Sequence, residues 1–248
     1  MKAIIISAGS AGRLGELVKD KPKGLLDING KTLIGRQISL LRKNGIDNVI
    51  IITGRHKNFG VENVSYINDE HYEQHDVLGS LMAANYEIKD RVLISYSDLL
   101  FEESILQQLL EFSGDIGIPV DLDWEKSYEG RTQHPKSEAD NVLIENGKIV
   151  CIQKEIENTS NHQTVGEFLG LMILSEKGSE IFVENYCKLQ QIHRGPFHKA
   201  PSLEKAYLTD MLQELIDLGY DLKPIIIDGR WCEIDTPQDL ENARELFI

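Results

Sequence analysis

The chain has 248 residues, 41% of them hydrophobic, which is enough apolar material to bury a full core and excludes an intrinsically disordered protein. Its formal net charge of −14 excludes a nucleic-acid binder, because counterion release on a polyanion needs a basic surface. Any phosphate site must therefore be a local basic pocket on an acidic body.

Through the first half, short β-branched runs alternate with longer amphipathic stretches, the pattern of strand-helix-strand units around a parallel sheet. The spacing predicts strands at residues 3–6, 49–53, 64–68, 92–96 and 116–120, with helices at 32–44, 78–88 and 103–112 between them. In the first helix Leu33, Ile34, Ile38, Leu40 and Leu41 recur at helical spacing. After Asp121 the pattern changes. Asn146-Gly147 separates two apolar runs, a strong hairpin signal that begins an antiparallel excursion. Residues 175–189 and 203–218 return to helical spacing, 222–227 reads as a strand, and Thr236-Pro237 opens a closing helix over 236–246. The expected fold is α/β, with a Rossmann-like, mostly parallel mixed sheet flanked by helices. No repeat, low-complexity segment or linker interrupts the chain, which reads as a single domain over 1–248.

Cys151, Cys187 and Cys232 are odd in number and far apart, so neither a disulfide framework nor a zinc site is suggested, and a reducing cytoplasm is the expected setting. The apolar start of the chain is shorter than a signal-peptide core, and no stretch approaches the ~20 apolar residues of a membrane span.

The chemistry concentrates first in Ser7-Ala8-Gly9-Ser10-Ala11-Gly12-Arg13-Leu14-Gly15, followed by Lys21-Pro22-Lys23. A buried strand that runs into a turn with little side chain exposes backbone N–H groups, and Arg13 and Lys23 add fixed positive charge where phosphates would lie. A dinucleotide fold is the first alternative, but these glycines run Gly9-x-x-Gly12-x-x-Gly15. The second strand also ends at Thr53-Gly54-Arg55, without the acidic residue that grips a ribose. A Walker-type loop fails too, since Gly30-Lys31-Thr32 is one residue too far from Gly24. His71 and His75 could share a helix face, but Tyr72 stands where a metalloprotease needs its glutamate, so they read as two surface histidines. Asp98 and Asp235 each follow an apolar strand. A lone aspartate there usually forms a turn or caps a helix. Their combination with the glycine turn and the two cations points elsewhere, since a nucleoside triphosphate site needs hard oxygen ligands for magnesium as well as cations.

With these residues in place, the chain resembles the nucleotidyltransferase superfamily that activates sugar phosphates and other small phosphorylated compounds. The carriers are the glycine turn, Lys21-Pro22-Lys23, Ser97-Asp98, Gly166-Glu167-Phe168-Leu169-Gly170 and Trp231-Cys232-Glu233-Ile234-Asp235, in the superfamily's order. Ser80-Leu81, Val120-Asp121-Leu122-Asp123-Trp124 and Gly229-Arg230-Trp231 extend the likeness to small-acceptor cytidylyltransferases. Those act on phosphonates such as 2-aminoethylphosphonate, on phosphoramidate precursors or on phosphocholine. The turn departs from the family's Ala-Ala-Gly-x-Gly-Ser/Thr-Arg at Ala11 and Gly12, and alanine is strained where φ is positive, so a differently shaped loop is expected.

The resemblance implies a nucleotide-binding half over about 1–120 and an acceptor-binding half over 121–248. It implies CTP, or another nucleoside triphosphate, and a small phosphonate or phosphate acceptor as partners, with no nucleic acid or membrane; a homodimer is compatible with it. It assigns catalysis to Arg13 on the β- and γ-phosphates and to Lys23 on the α-phosphate, and Mg2+ to Asp98 and Asp235. Nucleotide contacts fall to Ala8, Gly9, Ser10, Ala11, Gly12 and Ser80. Acceptor contacts fall to Asp121, Asp123, Trp124, Lys154 and Glu167. The plain alternatives are a helix cap for Ser80, a rim residue for Trp124 and a solvated strand lysine for Lys154. A sugar-1-phosphate nucleotidyltransferase is the nearest rival enzyme. A non-catalytic binding module is disfavoured because all four charges, Arg13, Lys23, Asp98 and Asp235, are present.

Overall fold

The structure is a computed structural model that describes residues 1–9, 12–157 and 160–247. The first half contains β1 (Lys2–Ser7), β2 (Asp27–Ile28), β3 (Lys31–Thr32), α1 (Leu33–Lys43), β4 (Val49–Thr53), β5 (Ser65–Asn68), α2 (Val77–Met82), β6 (Val92–Tyr96), β7 (Leu99–Phe101), α3 (Glu103–Glu111) and β8 (Ile116–Asp121). The second contains β9 (Asp140–Glu145), β10 (Lys148–Lys154), β11 (Gln163–Phe168), β12 (Leu171–Leu174), α4 (Glu176–Ile192), α5 (Leu208–Asp217), β13 (Leu222–Ile226), β14 (Trp231–Glu233) and α6 (Pro237–Leu246).

One sheet crosses both halves in the order β10-β9-β11-β8-β12-β6-β1-β4-β5, with β13 on the other edge of β8. The neighbours β6, β1, β4 and β5 are parallel, and β1 is buried on both faces, as a β-branched central strand should be. Leu78, Leu81, Phe182, Met211 and Leu215 from α2, α4 and α5 cover one face together with Ile4, Ile94 and Val142. Ile34, Ile38, Ile105 and Leu109 from α1 and α3 cover the other, against Ile5, Ile51 and Leu93.

The sheet changes partner strands at a bend. Residues 163–174 run antiparallel to β8; β12 lies between β6 and β8, whereas β11 lies between β9 and β8. At the bend Gly170 has φ +78°, and an added Cβ there would come within 2.6 Å of the Tyr96 ring, so only glycine fits. In the hairpin of β9 and β10, Asp140 and Lys154 are paired in register.

Two helices differ from the sequence reading. The stretch 78–88 ends as α2 at Met82 and continues in a short turn, Asn85–Glu87, which sets Glu87 against Lys2 Nζ at 2.6 Å. The stretch 203–218 turns helical only at Leu208. Ahead of it, the carbonyls of Glu204 and Ala206 accept from the N–H groups of Asp76 and Leu78, committing that backbone to the start of α2.

Candidate active site

Lys23 stands in a short turn, Lys23–Leu25, behind Pro22. An added Cβ on Gly24 would lie 3.5 Å from Ser7 Oγ and Ile34 Cβ and 3.6 Å from Ser97 Cβ, so the turn is wedged between β1, α1 and the turn after β6. Lys23 Nζ donates to Asp98 Oδ2 at 2.7 Å and also to Asp235 Oδ1. Asp98 is held from below by Gln37, which is 3% exposed and donates to the carbonyls of Tyr96 and Leu99 at 2.9 and 2.8 Å.

Asp235 arrives through backbone pairing. Strand β7, just after Asp98, pairs antiparallel with β14, and Ile234 N donates to the Asp98 carbonyl at 3.1 Å. Thr236 then caps α6, and Asp239 Oδ2 accepts from the N–H groups of Thr236 and Asp235 at 2.8 and 3.1 Å. Arg13 Nη2 completes the cluster 2.6 Å from Asp235 Oδ2. Four charged side chains from four parts of the sequence thus share one site.

Sequence reasoning missed Arg131, His134 and Glu233. Arg131 Nε donates to Asp239 Oδ1 at 2.9 Å, and its Nη2 lies 3.7 Å from Glu233 Oε1. His134 Nδ1 lies 3.4 Å from Glu233 Oε1 and 3.7 Å from Asp235 Oδ2. Glu233 was within reach, since it stands two residues before Asp235 on an extended segment, where alternate side chains share a face. Arg131 and His134 lie in an irregular stretch with no periodic signal.

The charges are mutually dependent. Burial alone would work against the Lys23 charge, but Asp98 and Asp235 outweigh it and raise the lysine above its ordinary value. Burial would likewise raise Asp235, but Lys23 and Arg13 hold it below the usual carboxylate range. Burial, then the neighbouring Asp235, push Glu233 up to about 7 against the opposing pull of His134 and Arg131. Asp98 Oδ1 is buried with no hydrogen-bond partner, a position a cation would satisfy. Ligand atoms of His134, Glu233 and Asp235 lie within 4.8 Å of one another. Three carboxylates with an unsatisfied oxygen fit magnesium, which takes hard oxygen ligands.

The remaining expected site residues divide between the two faces of the sheet. Lys154 lies on the α5 face, beside Asp140 in register and 2.7 Å from Glu138. Asp121 and Glu167, also paired in register, lie on the α1 face. There Trp231 Nε1 donates to Asp121 Oδ2 at 2.8 Å, and Tyr128 donates to Glu167 Oε1 at 2.5 Å. Burial, then the nearby Glu233, push Glu167 well above the usual carboxylate range. Trp124 is 6% exposed and stacks edge-on with Tyr128; Asp123 is exposed and pairs with Lys126. Ser80 is inside α2, whose N-cap is Asp76, and its hydroxyl donates to Asp69. His75 is no simple surface residue, since its Nδ1 bonds the buried Asp69 carboxylate at 2.9 Å. Ala8 and Gly9 follow β1 directly, and Gly12 begins the short helix Gly12–Val18 that carries Arg13. Ser10 and Ala11 lie outside the described residues.

The family model of the MobA-like NTP transferase domain matches residues 3–135, more than half of the chain, and the chain belongs to that family. The protein is thus a nucleotidyltransferase that resembles the small-acceptor cytidylyltransferases. It is 29% identical to the CTP:phosphoglutamine cytidylyltransferase of Campylobacter jejuni over 256 residues, which cover 97% of this chain and 98% of that one. The inositol-1-phosphate CTP transferase from T. maritima matches with a TM-score of 0.74 at 22% identity, over 99% of this chain and 94% of that one. The CTP:phosphocholine cytidylyltransferase from Streptococcus pneumoniae matches at 0.72 and 20%, over 100% and 99%. These two likenesses establish the Rossmann-like fold with its mixed sheet. Among the described residues no helix is long and apolar enough to cross a membrane.

Proposed function

We propose that this protein is a magnesium-dependent cytidylyltransferase that transfers CMP from CTP to a small phosphonate or phosphate acceptor and releases pyrophosphate. The preferred acceptor is 2-aminoethylphosphonate or a related phosphonate. The convergence of Lys23, Arg13, Asp98 and Asp235 on one site carries this reading. The relative named for CTP and phosphoglutamine supports the nucleotide, and it favours phosphoglutamine as a second acceptor.

An acceptor oxygen that already carries charge needs no base; it forms a bond to the α-phosphorus while the bond to the pyrophosphate oxygen breaks. The protein's work is positioning and charge neutralisation. Lys23 faces the α-phosphate, where two anions must meet, and Arg13 faces the β- and γ-phosphates. Asp98, Asp235 and Glu233 would hold magnesium, which when bound would supply positive charge where pyrophosphate leaves.

Lys154 holds the acceptor's anionic group. Around it stand Glu138, Asp140 and Tyr207, the last 52% exposed. Burial, and then the fields of Asp140, Asp98, Glu233 and Tyr207, raise the Tyr96 hydroxyl well above its ordinary value, so this group borders the carboxylate cluster. An acceptor with both an anion and an ammonium can exchange charge for charge with the Lys154–Glu138 pair and leave no charge unpaired. A sugar phosphate leaves Glu138 beside a second anion. Both 2-aminoethylphosphonate and phosphoglutamine carry such an ammonium.

The test is pyrophosphate release with each nucleoside triphosphate against 2-aminoethylphosphonate, ethylphosphonate, phosphocholine, phosphoglutamine and glucose 1-phosphate. CTP with an ammonium-bearing acceptor should give the highest kcat/KM. Equal rates for ethylphosphonate or glucose 1-phosphate would overturn the acceptor assignment.

A further inference from the structure

We infer that Arg131 is a positioning residue for the metal-binding carboxylates: it sets the backbone of Asp235 through Asp239 and stands beside Glu233, so the metal site depends on a side chain outside its ligand set. The inference rests on the magnesium reading above. Arg131 belongs to the irregular segment between β8 and β9, just after the short turn Trp124–Tyr128, and its N–H donates to the Tyr128 carbonyl at 3.1 Å. Its side chain is 8% exposed and is gripped on three sides. Nε donates to Asp239 Oδ1 at 2.9 Å, Nη2 meets His134 Nδ1 at 2.7 Å, and the guanidinium lies over the Tyr128 ring, 4.7 Å from its centroid.

The relay to the site runs through Asp239. An acidic residue at the third position of a helix ordinarily accepts from the capping residue. Asp239 Oδ2 does that for Thr236, taking its N–H and its hydroxyl, both at 2.8 Å. It also takes the N–H of Asp235, one residue further back, at 3.1 Å. That extra bond fixes the backbone where the chain leaves β14, and with it the carboxylate that Lys23 and Arg13 share. Oδ1 is left for Arg131. With one oxygen on each set of partners the Asp239 carboxylate is held against rotation, and its buried charge has a cation beside it. The same guanidinium stands 3.7 Å from Glu233 Oε1. Arg131 therefore acts on Asp235 through one intermediary and on Glu233 by charge.

Anchoring the segment does not by itself require an arginine here. Gln238 already ties it to α6, since Oε1 accepts from Thr132 N at 2.9 Å and Nε2 donates to the Gly130 carbonyl at 2.8 Å. What the arginine adds is orientation. Its planar fork meets Asp239 and His134 at once, and a lysine in its place keeps the charge without the fork.

The experiment uses Mn2+ as the probe, because carboxylate and water ligands suit it as they suit magnesium. Binding to the protein is read by water-proton relaxation with CTP present and acceptor absent, alongside kcat, the acceptor KM and the melting temperature. In Arg131→Lys the Mn2+ dissociation constant should rise about 10- to 100-fold, the usual cost of removing a partner of a metal ligand. Turnover should fall with it, and the acceptor KM should stay within about threefold of wild type. Asp239→Asn should show the same loss, since an amide has one accepting end and must give up either Arg131 or the N–H groups of Asp235 and Thr236; this arm decides the matter should Arg131→Lys not fold. Gln238→Ala loosens the same segment from the same helix, and it should melt lower yet bind Mn2+ as the wild type does. Wild-type Mn2+ affinity in folded Arg131→Lys or Asp239→Asn overturns the role of Arg131, and so does an equal loss in Gln238→Ala. A wild type that shows no protein-bound Mn2+ with any nucleoside triphosphate overturns the metal reading instead.

Discussion

Replacing Lys23 by alanine removes the cation that Asp98 and Asp235 share. The lysine side chain is 11% exposed and the two carboxylates 21% and 18%, so the cluster is mostly but not fully dry. Removing one partner of a fully buried pair costs about 3–5 kcal/mol, and the residual wetting here reduces that to about 1–3 kcal/mol. For a chain of this size the melting temperature should drop by about 3–10 °C. Asp235 is held below its ordinary value, so its share of the stability is present above about pH 4 and is lost as pH falls through the lowered value. Lys23 is held above its ordinary value of 10.5, so its share is complete below that pH and is lost only as pH rises through the raised value. The gap between wild type and variant should therefore be constant from pH 5 to pH 9, closing only in stronger acid or base. Turnover should fall about 10²- to 10³-fold, the effect of removing one preorganised transition-state charge. Thermal unfolding across pH in the presence of a chelator, with pyrophosphate release at saturating CTP, measures both quantities. A folded variant that keeps its melting temperature and turns over within tenfold of wild type would refute the reasoning.

Three further substitutions probe the surroundings. Tyr128→Phe deprives buried Glu167 of its donor while Glu167 Oε2 already lacks one, so chemical denaturation should show a loss of about 1–3 kcal/mol. Asp140 is raised by burial to about 6, so its ionisation costs the folded state stability as pH climbs from about 4 to 6 and above. Asp140→Asn should melt higher than wild type at pH 8 and equal to it at pH 4, while its KM for an ammonium-bearing acceptor rises at least several-fold. Gly178→Ala would put a Cβ 2.0 Å from the Asp115 carbonyl, and a melting-temperature loss of at least about 5 °C is expected by calorimetry.

The parallel half of the sheet was legible in the sequence because its signals are local. The isoleucine run of β1, the Thr32 cap and helical spacing of α1, and the apolar stretch of β6 each announce themselves within a few residues. Strands β11 and β12 were not, since Gly166 and Gly170 break the alternation that would mark them. Those glycines exist for tertiary reasons. A Cβ on Gly166 would meet Val120 at 2.3 Å, and one on Gly170 would meet Tyr96 at 2.6 Å. The extra turn before α5 was equally hidden, because residues 203–207 have helical spacing but the carbonyls of Glu204 and Ala206 accept from the start of α2.

The site divided along the same line. Arg13, Asp98 and Asp235 could be read as one group because each stands at a strand end or glycine turn, positions that an open parallel sheet gathers at one edge, and Lys23 joined them through the Lys-Pro-Lys triplet that follows the turn. On the acceptor side no such rule applies, because there the face is set by register. Glu167 pairs with Asp121 and Asn141, so its side chain turns to the α1 face, where Tyr128 donates to it; Lys154 pairs with Asp140, one residue along β9 from Asn141, and faces α5. A shift of one residue in either ladder would exchange these roles. On the proposed function, recognition of an acceptor's ammonium would fall to Asp140, Glu138 and Tyr207, which flank Lys154, and Asp121 and Glu167 would take no direct part in it. The two sets separate by kinetics. Asp140→Asn should raise the acceptor KM and leave the magnesium dependence unchanged, and Glu167→Gln should move the magnesium dependence and leave the acceptor KM alone. The opposite pattern would mean that the acceptor sits on the α1 face.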